Sequence, residues 1–268
     1  MNARPKPESW ALGGAYEPFI GRWSRRVADE FVRWLPREDG RRWLELGCGT
    51  GALTQAVLGL ASPALVLATD RSPAYAAYAR GRTPAAAARF LVADAMRLPV
   101  RSAVADVVVS GLLLNFLPDP TAGVAEMARL ARPGGTVAGY VWDYAGRMEL
   151  LRLFWDAAVA LDPAAASLDE GARFPICTPH QLERLWTRAG LVDVRGSGIE
   201  VGTPFQDFED YWRPFLGGQG PAPAYVASLD PAGRDALRES LRAGLSARPG
   251  GAAALRARAW VVRGRRAP

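Results

Sequence analysis

The residues whose types and spacing carry chemistry lie between positions 42 and 57, RWLELGCGTGALTQAV, where Gly47, Gly49 and Gly51 alternate after a short apolar run and Glu45 stands just ahead of them. A backbone without side chains lets a ligand approach closely, and the helix that follows presents unpaired N–H groups at its start. A strand, a glycine turn and a helix in this order form a nucleoside-cofactor site in a doubly wound α/β sheet. Two carboxylates further along suit the same ligand. Asp70 closes the next apolar run, about 20 residues beyond the turn, where a carboxylate accepts both hydroxyls of a ribose. Asp94 closes the run RFLVADA, and with Ala95 and Met96 it offers an acceptor for an exocyclic amine and an apolar face for a flat base.

Holding these groups together requires parallel strands separated by helices. Beyond the strand before Gly47, the patterns predict strands over 65–69, 89–93, 105–110, 136–142, 191–201 and 256–264, the fourth buried on both faces by its unbroken valines. Helices are predicted over 73–81, capped by Ser72-Pro73, over 120–130, terminated by ARPGG, over 148–161, and from the cap Thr178 with Pro179 to Gly190. From Trp10 onward, Tyr16, Phe19, Ile20, Trp23, Val27, Phe31 and Leu35 predict an amphipathic helix reaching residue 35 and covering the sheet, preceded by a lid-like segment at Gly13-Gly14. An insertion over 202–251 is aromatic at Phe205, Phe208, Tyr211, Trp212, Phe215 and Tyr225, with a linker-like GGQGPAP at 217–223. The organisation expected is an N-terminal lid and helix (1–40), a cofactor-binding core (41–144), a cap insertion (145–177), a core helix and sixth strand (178–201), a second cap insertion (202–251) and a seventh strand with basic tail (252–268).

With 268 residues, 49% hydrophobic and 22% charged, the chain is long enough for a large core and is neither disordered nor fibrous in composition. Its start has no apolar signal segment, and Asp106, Arg132 and glycines break the longest apolar stretches, so the expectation is a cytoplasmic protein with no membrane span. Cys48 and Cys177 are too few for a disulfide framework and lack metal-ligand spacing, so reduced, packed thiols are expected and no metal site. The net charge of +6 and pI near 9.8 invite a nucleic-acid reading. The distribution argues against it: Lys6 is the sole lysine, the arginines are scattered, and the dense cluster is the tail Arg263, Arg265 and Arg266.

Gly47, Gly49 and Ala52 also satisfy the dinucleotide fingerprint, which keeps an NAD-dependent oxidoreductase open. The whole set, Glu45, Gly51, Asp70, Asp94-Ala95 and ARPGG, closely resembles the class I S-adenosylmethionine-dependent methyltransferases, in particular their ubiquinone/menaquinone-type, small-molecule branch. The resemblance is strong from Trp43 to Tyr144 and weaker through the last strands, and AYEPFIGRWS resembles the N-terminal entrance of some members. It implies a Rossmann-like seven-stranded sheet of order 3-2-1-4-5-7-6 with strand 7 antiparallel, an N-terminal helix and helical caps. It also implies that S-adenosylmethionine is converted to S-adenosylhomocysteine. By resemblance Gly47, Gly49 and Gly51 line the methionine end, Glu45 lies near the amino and sulfonium groups, Asp70 holds the ribose, and Asp94, Ala95 and Met96 hold the adenine. Leu112 to Asn115 flank the methyl donor, and Cys48, Arg71 and Arg22 belong to the same cofactor-binding set.

Methyl transfer is an in-line displacement from an excellent leaving group, so alignment and exclusion of water can suffice and a base is optional. His180, Tyr16 and Asp143 are the candidates for one. Metal-dependent relatives carry a carboxylate where this chain has Ser110, and base-methylating enzymes carry an Asp/Asn-Pro-Pro-aromatic turn where it has Ser110-Gly111-Leu112-Leu113. Tyr16, Phe19, Trp23, Trp142, Tyr144, Phe205 and Tyr211 are the candidate acceptor pocket beneath an aromatic cap, which implies a small, apolar or aromatic acceptor. An RNA methyltransferase and an NAD-dependent oxidoreductase are the competing functions, and the choice among O, N, C and S methylation stays open.

Overall fold

The computed structural model of the protein describes residues 17–36, 38–83, 86–217 and 220–268. Chain order gives α1 (Arg22–Trp34), β1 (Arg42–Leu46), α2 (Ala52–Leu60), β2 (Leu65–Asp70), α3 (Pro73–Arg82), β3 (Ala88–Val92), β4 (Ala105–Gly111), α4 (Pro120–Leu130), β5 (Ala131–Trp142), α5 (Glu149–Leu161), α6 (Glu170–Arg173), α7 (Pro179–Arg188), β6 (Leu191–Gly202), α8 (Phe208–Trp212), α9 (Pro221–Ser228), α10 (Pro231–Ser246) and β7 (Arg256–Arg266). The strands form one seven-stranded sheet in the order β3-β2-β1-β4-β5-β7-β6, parallel from β3 to β5, with β7 antiparallel to β5. This is the expected topology, and it places the carboxyl ends of β1 to β4 side by side. Helix starts follow their caps: Ser72, Asp119 and Thr178 each accept a first-turn N–H ahead of a proline.

The chain divides into two compact units. The sheet unit comprises Gly21–Trp142, Ile176–Ile199 and Ala259–Pro268. Its core is built from apolar runs buried on both faces of the central strands, with Val108, Val109, Val137 and Ala138 fully enclosed. Phe31 of α1 meets Tyr140 of β5 at 4.6 Å between ring centroids, and the Trp186 indole of α7 donates to the Val137 carbonyl at 2.9 Å.

The helical unit holds Asp143–Pro175, Glu200–Arg258 and the described residues before Gly21. Its core is aromatic: Phe154 stacks on Phe215 at 4.6 Å, Phe19 meets the same ring edge-on, and Tyr211 contacts Phe205, Phe208 and Phe215. Asp143 anchors the start of this unit. Its carboxylate accepts from the Gly146 and Arg147 amides and from Nε and Nη2 of Arg258, at 2.6–3.1 Å.

Four local expectations are corrected. The helix expected to run up to residue 35 is regular, among the described residues, only from Arg22, after one wide turn over Glu17–Gly21. ARPGG does not separate helix from strand. Ala131 already pairs with Ala105, and the next pair is Val107 with Thr136, so the glycines form a bulge inside β5. Gly134 has φ +74°, and a Cβ on Gly135 would meet the Arg132 carbonyl at 2.8 Å. The linker-like stretch turns into helix α9 at Pro221, where the proline's fixed φ suits a first helical turn. The basic tail is the end of β7: Arg263 donates to the Trp34 carbonyl, Arg265 pairs with Asp193, and Arg266 donates to the Arg129 and Ala131 carbonyls.

Candidate cofactor site

The turn after β1 carries three glycines in left-handed conformation, with φ of +75° at Gly47, +50° at Gly49 and +87° at Gly51. Side chains are excluded there for separate reasons. A Cβ on Gly47 would lie 2.6 Å from the Leu113 side chain, and one on Gly51 would lie 3.2 Å from the Ala79 Cβ, whereas one on Gly49 would meet nothing within 4 Å. The first and third glycines are thus required for packing, and the second leaves its backbone bare to open space. Gly47 and Cys48 both donate to the Thr69 carbonyl at 2.8 Å, which fastens the turn to the end of β2.

Asp70, the last residue of β2, holds the turn from the other side. Its Oδ2 accepts the Gly49 N–H at 2.9 Å and its Oδ1 the Ser72 N–H at 2.8 Å. Asp94, beyond β3, accepts the Met96 N–H through Oδ1 at 2.9 Å, and its residue is exposed. Ala95 is buried and Met96 half-buried beside it, while Arg71 is exposed. Glu45 of β1 is 1% exposed and accepts the Thr54 hydroxyl at 2.5 Å. Burial pushes its carboxyl up to about 7, opposed by the Thr54 hydrogen bond and reinforced by the Asp70 charge. The Cys48 thiol, buried and facing Glu45 and Asp70, is also pushed upward, so it is a packed thiol and not a nucleophile.

The turn after β4 completes the group. Leu112 takes φ +57°, a conformation that leucine rarely adopts, and donates its N–H to the Tyr140 carbonyl at 2.8 Å. Leu113 lies over Gly47, and a single helical turn over Leu114–Phe116 carries Asn115, 8% exposed. Neither amide atom of Asn115, nor the hydroxyl of fully buried Ser110, has a hydrogen-bond partner among the described residues. Bare glycine backbone, two carboxylates at adjacent strand ends and an orphaned buried amide suit a nucleoside ligand with a polar, charged end.

The structure therefore brings together Glu45, Gly47, Cys48, Gly49, Gly51, Asp70, Asp94, Ala95, Met96, Leu112 and Asn115 at the carboxyl ends of β1 to β4. Arg22 and Trp23 open α1, with the Arg22 guanidinium 4.4 Å from the Trp23 ring centroid. Trp142 ends β5 and is 1% exposed. Tyr16 lies outside the described residues. His180 is exposed on the first turn of α7, and Asp143 has the four donors described above. In the helical unit, Phe19, Tyr144, Phe205 and Tyr211 are each buried to 4% exposure or less; Tyr144 meets Phe174, and Tyr211 donates its hydroxyl to the Leu150 carbonyl at 3.1 Å. Thr54 and Tyr140 were not foreseen from sequence. A threonine in the first turn after the glycines, on the face toward Glu45, was the available signal for Thr54; Tyr140 acts through its backbone carbonyl, which no residue type announces.

Fold and site together define a Rossmann-like nucleoside-cofactor protein of the seven-stranded, β7-antiparallel kind. Residues 44–139 match the methyltransferase domain family. The chain is 31% identical over 206 residues to a trans-aconitate 2-methyltransferase of Methylobacterium radiotolerans, covering 68% of this chain and 76% of that protein. It is 32% identical over 128 residues to a malonyl-[acyl-carrier protein] O-methyltransferase of Hahella chejuensis, covering 48% of this chain and 46% of that protein, so this chain spans about half the length of that relative. The fold matches phosphoethanolamine N-methyltransferase 2 of Haemonchus contortus, solved with S-adenosyl-L-methionine, at TM-score 0.59 and 16% identity over 96% of this chain and 57% of that one. The chain belongs to the class I S-adenosylmethionine-dependent methyltransferases.

Proposed function

We propose that the protein methylates a small organic acceptor of apolar or aromatic character. The observation that carries the reading is the left-handed glycine turn pinned by Asp70 and open at Gly49, in a chain related to methyltransferases named for trans-aconitate and for malonyl-acyl-carrier protein. S-adenosylmethionine supplies an electrophilic methyl group on a sulfonium, which leaves readily under in-line attack.

The residues of the chain position and shield. Gly49, in the turn that Gly47 and Gly51 shape, gives bare backbone to the methionine end, Asp70 the ribose contact, and Asp94, Ala95 and Met96 the base contact. Glu45, beneath the turn, places a carboxyl where positive charge is to be held. The rigid Leu112 turn and buried Trp142 keep the ends of β4 and β5 dry, where water would compete with the acceptor. No general base is assigned: His180 is exposed and Asp143 is bound by four donors.

Two buried cysteines without a disulfide support a reducing compartment, and no described helix is long and apolar enough to cross a membrane; we place the protein in the cytoplasm. The test is a melting-temperature shift with S-adenosylhomocysteine against NAD, followed by a screen of small acids, phenols and amines with methyl-labelled S-adenosylmethionine. Stabilisation by S-adenosylhomocysteine alone and a labelled small product are expected. Stabilisation by NAD alone, or methylation confined to RNA, overturns the reading.

A further inference from the structure

Thr54 follows Gly51 by three residues and is fully buried in the first turn of α2, a helix that starts without a side-chain cap. Threonine hydroxyls inside helices commonly bond back to a carbonyl of the preceding turn. This one instead reaches across to β1 and donates to Oε2 of Glu45 at 2.5 Å. Oε1 of Glu45 has no hydrogen bond among the described residues. One oxygen of the buried carboxyl is held by the protein, and the other is left for a donor or a positive charge.

The backbone of Glu45 is fixed without Thr54. It is paired with Ala68 of β2 and Val109 of β4, and its carbonyl accepts the Thr69 hydroxyl at 3.0 Å. What the strand leaves undetermined is the plane of the carboxyl group and its charge. A donor on one oxygen sets both, because it fixes the rotation of the group and stabilises the anion over the acid. The surroundings oppose the anion: burial disfavours it, and the Asp70 carboxylate repels a second negative charge. The Cys48 thiol stays neutral, Ala68 and Val109 are apolar, and α2 carries no charged residue.

We propose that Thr54 is a positioning residue for the cofactor, holding Glu45 as an oriented anion whose Oε1 is free to meet the positive charge of S-adenosylmethionine. The proposal rests on the cofactor reading above, and Thr54 acts only through Glu45. A nucleoside without positive charge gains nothing from it.

The test is calorimetric titration of the wild type, Thr54→Val and Thr54→Ser with S-adenosylmethionine between about pH 6 and about pH 8.5, with uncharged 5′-methylthioadenosine as the control ligand. Valine matches threonine in shape and lacks the hydroxyl; serine keeps the hydroxyl. In Thr54→Val the rise of affinity with pH should move upward by about one pH unit, so that S-adenosylmethionine binds about five- to tenfold more weakly near pH 6 and within about twofold of wild type near pH 8.5. Thr54→Ser should follow the wild type within about twofold throughout, and neither variant should change 5′-methylthioadenosine binding by more than about twofold. Should the valine variant fail to fold, Thr54→Ala is expected to show the same pH-dependent loss. A loss of equal size at every pH, a matching loss for 5′-methylthioadenosine, or a serine variant as weak as valine assigns Thr54 to packing and overturns the proposal, as does a valine variant with the wild-type profile. A wild type that binds both ligands with no rise through pH 7 removes Glu45 from the cation and the proposal with it, whereas one that binds neither overturns the cofactor reading itself.

Discussion

Two buried glutamates, one in each unit, make an instructive pair. Glu45 and Glu170 are 1% and 4% exposed, and burial pushes both carboxyl groups up to about 7. Their surroundings differ. Glu170 accepts the Trp155 indole N–H, with the Asp169 charge opposing its ionised form and Arg173 favouring it. Glu45 has a hydroxyl from Thr54, with the Asp70 charge opposing its ionised form. A raised carboxyl therefore does not by itself mark a site. What separates the two is company: Glu45 stands two residues ahead of a turn of left-handed glycines, Glu170 beside an indole that completes its packing.

The largest effect expected in the sheet unit comes from Gly47→Val. The left-handed φ and the Leu113 contact exclude any side chain, so S-adenosylhomocysteine affinity should fall by at least about 100-fold in titration calorimetry. Retained affinity would remove the glycine turn from the site.

The second test addresses the glutamates directly. Each holds its proton more tightly in the folded chain than at its ordinary value of 4.5, so the stability it contributes is full below about 4.5 and is lost as pH rises toward 7. Within that window the slope is at most about 1.4 kcal/mol per pH unit for each group. Glu45→Gln and Glu170→Gln should each flatten the profile of denaturant midpoint against pH. Only Glu45→Gln should also flatten the rise of S-adenosylmethionine affinity through pH 7, because Glu45 is the carboxyl proposed to hold the positive charge of the cofactor. If Glu170→Gln flattens the affinity profile as well, the distinction between the two glutamates is wrong.

Tyr211→Phe probes the helical unit alone. Losing the hydrogen bond to the Leu150 carbonyl should lower stability by about 1 kcal/mol in chemical denaturation and leave S-adenosylhomocysteine affinity unchanged. His180→Ala is the smallest effect expected: less than about 0.5 kcal/mol in stability, as for surface positions generally, with kcat unaltered for whichever acceptor the screen identifies.

The sheet was readable because its signals are local. Apolar runs, prolines after Ser, Asp or Thr caps, and alternating glycines each dictate backbone shape within a few residues; Asp70 ends, and Asp94 closely follows, a strand that such runs already delimit. The bulge in β5 was not readable, since ARPGG serves equally as a helix stop; what decides is Ala131 pairing with Ala105, a partner distant in sequence. Leu112 was equally silent, because its φ is imposed by the Tyr140 carbonyl and not by leucine's preference. In the helical unit, Phe205 and Tyr211 were legible as aromatic, but their mutual packing depends on which helices meet, and spacing along the chain does not record that.

The turn bearing Asn115 is fixed at both ends before any ligand arrives, by Leu112 on the Tyr140 carbonyl and by the Asp119 cap. Capture at this end of the site then needs no ordering of the loop, and the time course of binding records it. Stopped-flow traces with excess S-adenosylhomocysteine should be single exponentials whose rate grows linearly with concentration, without the plateau that a slow conformational step would impose.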